Sequence, residues 1–122
     1  MSELLQEIFD KVRDHLLRQN AKAVKYTEGG GTCAYRGSNG TKCAAGVLIP
    51  DDLYHPRFEG KNVGELIDSE PELAESLGWD DERVATLVSD LQGVHDNSEV
   101  AAWNHGLAYA AKRHGLYCPE PA

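Results

Sequence analysis

The chain has 122 residues and a net charge of −8. That length supplies one hydrophobic core but not two, so residues 1–122 are expected to form a single domain. Acidic character repels a phosphate backbone and argues against general nucleic-acid binding. No apolar run approaches the ~20 residues that span a bilayer, so no membrane association is expected. The opening residues Met-Ser-Glu-Leu-Leu-Gln-Glu lack the apolar core of a signal peptide, and a cytoplasmic location is expected.

The charge is uneven along the chain. Residues 1–28 carry five basic and five acidic side chains, residues 29–62 four and three, and residues 63–122 three and twelve. The cations of the middle stretch, Arg36, Lys42, Arg57 and Lys61, can hold a small anion locally against a repulsive background.

The spacing of Leu4, Leu5, Ile8, Val12 and Leu16 predicts a helix over 3–19, with Ser2 as N-cap. Residues 23–28 and 32–36 carry strand formers, separated by Gly29-Gly30-Gly31. Gly37-Ser-Asn-Gly40 has the residue types of a tight hairpin turn, and Thr41-Lys42 begins a return strand. Cys43–Ile49 reads as a short helix stopped by Pro50. Residues 50–61 form a loop. Asn62–Glu65 and Ser69–Glu72 have the pattern of capping boxes. Asp80 is expected to cap a helix over 81–95, and Asp96–Glu99 to open a last helix over 98–114. Residues 116–122 read as a frayed tail. The expected class is α+β: a small β-hairpin or ribbon packed against several helices.

Three cysteines at wide spacing make no disulfide framework, and without a C-x-x-C pair no metal or cofactor is expected. Cys43 at a helix start beside Lys42 has the setting of a lowered thiol pKa. A nucleophilic Cys43 would need a base, and His95 is the one to test because it lies on the inward stripe of its helix. Asp96, one residue on, points about 100° away and reads as a cap. The plain alternative is that Cys43 packs as a small hydrophobe and His95 is a satisfied core histidine.

Tyr35, Arg36 and Lys42 flank the glycine-rich turn, and Tyr54 and Arg57 lie in the following loop. Arginine forks suit phosphate, turn amides can face an anion, and tyrosine rings can stack on a base. Together these five residues are the parts of a nucleotide-type pocket. The standard phosphate-binding loops are absent.

Cys33-Ala-Tyr-Arg, Gly40-Thr-Lys-Cys-Ala-Ala-Gly, Leu48-Ile-Pro-Asp-Asp-Leu-Tyr, Glu59-Gly and Leu91-Gln-Gly-Val-His-Asp resemble a widespread family of small proteins of tailed phages and prophages. Val47 stands where that family is associated with a third cysteine. The resemblance implies an accessory protein directed against host defence. The leading expectation is a binder that sequesters a nucleotide-like anionic signal. The alternatives are a cysteine hydrolase or transferase using Cys43 and His95, and an acidic inhibitor that docks on a host protein. Self-association is left open.

Overall fold

The computed structural model describes residues 2–27 and 30–119. Its α-helices are α1 (Ser2–Gln19), α2 (Ala44–Leu48), α3 (Val63–Ser69), α4 (Pro71–Leu77), α5 (Glu82–Asn97) and α6 (Trp103–Arg113). Two strands, β1 (Val24–Thr27) and β2 (Gly30–Cys33), pair antiparallel with Val24 opposite Cys33. No helix is long and apolar enough to cross a membrane.

The expected α+β class is corrected by this arrangement. The molecule is a small helical domain carrying one ribbon of two four-residue strands. The hairpin expected around Gly37–Gly40 is reduced to a single bridge between Arg36 and Lys42. The segment between them is a 3-10 turn, with Asn39 at φ 61 and Gly40 at φ 74. Lys42 is followed at once by Cys43, which caps α2, so no residues remain for a return strand. Gly37 is required by close packing, because a Cβ there would lie 2.5 Å from the Val24 nitrogen.

The core forms around two amphipathic helices. On α1 the stripe Leu5, Ile8, Phe9, Val12 and Leu16 is buried. On α5 the stripe is Val84, Leu87, Val88, Leu91 and His95. α5 contacts α1, α2, α3 and α6, and therefore runs through the centre. Trp79 and Trp103 are the largest fully buried side chains. Each such burial stabilises by about 1.5–3 kcal/mol relative to exposure. The indole Nε1–H of Trp103 has no partner among the described residues.

The helix ends only partly follow the sequence signals. Asn62 and Glu65 form the expected capping box on α3. Ser69 ends α3 instead of opening α4, whose N-cap is Glu70. Asp81, not Asp80, caps α5 by accepting from the Arg83 amide at 2.8 Å. α5 runs past Asp96 to Asn97, and a 3-10 turn over Val100–Ala102 precedes α6. In the tail, Tyr117 exchanges two 2.9 Å hydrogen bonds with the Gln6 side chain, so this part is docked on α1. Residues 120–122 lie outside the described residues.

Gly46 leaves no room for a side chain. It lies on α2 directly beneath the backbone of Tyr35, and an added Cβ would collide with the Tyr35 carbonyl oxygen. Both partners are backbone, so neither can yield by a rotamer change. Gly46→Ala should lower stability by about 1–3 kcal/mol, as overpacking does. Urea unfolding followed by circular dichroism measures it, and an unchanged midpoint would contradict this packing.

Candidate functional site

A cleft of about 320 Å³ opens where β2, α2, the loop before α3 and α5 meet. Its walls include Cys33 and Tyr35, Cys43, Glu59 and Lys61, and Gln92 and Asp96. Each comes from a different stretch of chain, and side-chain hydrogen bonds to backbone groups hold the stretches together. Glu59 accepts from the Tyr35 amide at 2.9 Å, the Arg36 amide at 3.1 Å and the Tyr54 hydroxyl at 2.5 Å. The Tyr35 hydroxyl donates to the Lys61 carbonyl at 2.6 Å. Gln92 accepts from the Ala45 amide at 2.8 Å, tying α5 to α2.

His95 and Asp96 lie at the base of this wall. His95 is fully buried and stacked on Trp103, with ring centroids 5.5 Å apart. Its Nε2 accepts from the Ala23 amide at 3.0 Å. The proton is therefore on Nδ1, which donates to Asp96 Oδ1 at 2.7 Å. Sequence spacing made Asp96 a helix cap, but α5 continues past it and its short side chain folds back to the neighbouring ring. Gln92 Nε2 also donates to Asp96 Oδ1, at 2.9 Å. Burial raises the Asp96 carboxyl, yet the donors from His95 and Gln92 outweigh it and leave its pKa below the usual value. Asp96 is thus a fixed negative acceptor on the cleft wall.

The catalytic pair is not assembled. Cys43 is buried as the N-cap of α2, and its Sγ accepts from the Gly46 amide at 3.2 Å. The expected lowering of its thiol is reversed: burial pushes it up to about 12, against smaller help from the Gly46 amide. The helix has only five residues, too short for its dipole to offset desolvation. His95 has both ring nitrogens engaged and none left for Cys43. Cys33 is exposed, but burial of part of its surface and the Asp96 charge raise its thiol too.

Cys33, His95 and Asp96 place ligand atoms within 4.8 Å of one another. The His95 tautomer opposes a metal there. Coordination through Nδ1 would move the proton to Nε2, which faces the Ala23 N–H donor.

The expected ligand residues are mostly turned to internal work. Arg36 donates to the Gly46 carbonyl at 2.6 Å and the Ile49 carbonyl at 2.8 Å, closing the C-terminal end of α2. It also lies over the Tyr54 ring at 4.8 Å. Asp51 accepts from Arg36 at 3.1 Å and from Lys42 at 3.4 Å. Arg57 forms a two-pronged pair with Glu70 at 2.9 and 2.8 Å. Of the five, only Tyr35 lines the cysteine cleft. Residues the sequence reading missed are Glu59, Gln92 and Asp96. Glu59-Gly and Gln92–Asp96 stand within the segments quoted above for their resemblance, and Glu59 also closes the aromatic, charged loop that follows Pro50.

Comparison with protein families, curated proteins and solved structures finds no match.

Two outcomes follow. Arg36→Ala leaves the α2 carbonyls without their charged donor and should cost about 1.5–3 kcal/mol of stability, read by thermal or urea unfolding. A neutral effect would mean that Arg36 is surface decoration. Iodoacetamide at pH 8 should label exposed Cys33 well before Cys43, followed by peptide mass spectrometry. Cys43 should react only in denaturant or as the pH approaches the high value of its thiol. Fast labelling of Cys43 in the folded protein would overturn its role as packing.

Proposed function

We propose that the protein binds a small polar, nucleotide-type molecule in the cysteine cleft and holds it without transforming it. This is the activity of a phage accessory protein that sequesters a host-defence signal. The observation that carries the reading is convergence. Residues 33–35, Cys43, residues 59–62 and the pair Gln92 and Asp96, from separate stretches of the sequence, contribute the walls of one cleft. The chemistry suits a sugar-bearing ligand. Asp96 is an ionised acceptor of the kind that takes ribose hydroxyls, while the Lys61 ammonium, which donates to Ser69 Oγ at 3.1 Å, would have to swing from that partner to meet a phosphate. Retention without turnover is supported by the setting of Cys43, a buried thiol with no base against it.

A second reading has one observation in its favour. Between Lys61 and Arg83 the chain carries eight carboxylates and no lysine or arginine. Asp68, Glu72, Glu75, Asp80 and Glu82 are exposed along this stretch. Such a surface complements a basic host protein.

The deciding experiment is a thermal-shift panel of cyclic dinucleotides and ADP-ribose-type molecules, with chromatography of the recovered ligand. A stabilising ligand should return intact. Asp96→Asn should weaken it by about one decade, the loss of one charge-assisted hydrogen bond. Recovery of a cleaved molecule would replace the binder with an enzyme. A panel without any shift would sink the ligand reading and leave the acidic surface.

A further inference from the structure

A second cleft, of about 640 Å³, lies on the far half of α1 and is independent of the cysteine cleft. Lys11, Asp14, His15 and Arg18 recur at three- and four-residue spacing and so share one face of α1. Opposite them are Asn39, Gly40 and Thr41 of the 3-10 turn.

The two walls are fastened together. His15 Nε2 lies 2.9 Å from the Lys42 carbonyl oxygen and donates to it. Gln19 brackets the same peptide, accepting from the Lys42 amide at 2.9 Å and donating to the Lys42 carbonyl at 2.9 Å. The turn is thereby fixed against the helix, and the cleft is present before any ligand arrives. Asn39 is left-handed (φ 61, ψ 30) inside this turn, a setting in which successive amides can face one side, while the Thr41 amide is donated to the Ser38 carbonyl at 3.3 Å.

The charge of this cleft is opposite to that of the molecule. It holds Lys11 and Arg18 against Asp14. The cysteine cleft holds Lys61 against Glu59, Glu65 and Asp96. A cleft beside α4 holds Arg57 against Glu70 and Glu72, and one between α5 and α6 holds Asp90 against Arg113. Among these, the α1 cleft alone has an excess of cations. Its Asp14 does not cancel that excess. Asp14 pairs with Arg18 at 3.0 Å, but both side chains are more than half exposed. Such a pair is weak and exchanges readily for a better acceptor. Lys11 forms no ion pair among the described residues.

We propose that this cleft is an anion site that takes the phosphate group of a small soluble phosphorylated molecule. Lys11 and Arg18 supply the charge, and the fixed turn supplies the opposing wall. Arg18 would turn from Asp14 to the phosphate, for which its planar fork is the better match. The concave shape favours a small soluble molecule over a flat lipid surface.

The test uses the full chain, labelled with nitrogen-15, titrated with pyrophosphate at low ionic strength. The amides of Asn39, Gly40 and Thr41 should shift, and binding should weaken as salt is raised. Lys11→Ala with Arg18→Ala should raise the dissociation constant by about tenfold or more. Both residues are exposed, so the spectrum of the double variant checks that it folds. Lys112→Ala removes an exposed cation that lines neither cleft and should leave the pyrophosphate affinity within about twofold. Unshifted turn amides at millimolar pyrophosphate would overturn the site. So would unchanged affinity in the double variant.

Discussion

A single buried imidazole joins the parts of this fold that have least else in common. His95 receives the Ala23 amide just before the ribbon, donates to Asp96 on its own helix, and stacks on Trp103 at the start of α6. A buried polar ring is tolerated only when its nitrogens are satisfied. Here both are, and satisfying them fixes three things together: where the ribbon meets the helices, which tautomer His95 adopts, and which way Asp96 points. An apolar replacement would keep the volume but orphan the Ala23 amide and release Asp96. Such a loss leaves a buried donor unpaired, which costs about 1–3 kcal/mol.

The chemistry of the cleft follows from that ring. Because Nε2 is an acceptor for the backbone, His95 can be neither a base for Cys43 nor a metal ligand through Nδ1. Because Nδ1 donates to Asp96, the carboxylate is held ionised on the wall and is a poor proton acceptor. The site is thus rich in reactive residue types and poor in reactive arrangements. Two thiols, an imidazole and carboxylates lie close together, yet each is committed to a neighbour or raised by burial away from its charged form. This arrangement presents a carboxylate acceptor on the cleft wall and assembles no thiol–imidazole pair.

The sequence made the long helices legible because amphipathic stripes are local information. Leu5, Ile8, Phe9, Val12 and Leu16 announce α1, and Val84, Leu87, Val88 and Leu91 announce α5, whatever surrounds them. Caps read less well. Asn62–Glu65 works as the pattern suggests, whereas the equally good Ser69–Glu72 pattern is overridden because α3 continues through Ser69. The ribbon was misplaced for a reason of the same kind. Asn-Gly marks a turn correctly, but whether strands leave the turn depends on what the flanks pack against. Here Cys43 is taken up by α2 and Gly37 by the backbone of Ala23 and Val24.

The candidate site was harder to read than the fold, because a cation in a sequence does not reveal what it is bound to. Arg36 and Arg57 look like free guanidinium groups beside a glycine-rich turn. In the folded chain one closes the end of α2 and the other clasps Glu70, and neither partner is near in sequence. The same blindness hid Lys11 and Arg18, which sit on a helix that reads as plain packing. Their turn partner arrives from more than twenty residues away, carried there by Gln19 and His15 gripping the Lys42 peptide. Charge becomes a site only where the backbone supplies an opposite wall. In this chain the wall around the distinctive cysteine segment is acidic, and the cationic wall lies on the helix that the motifs do not mention.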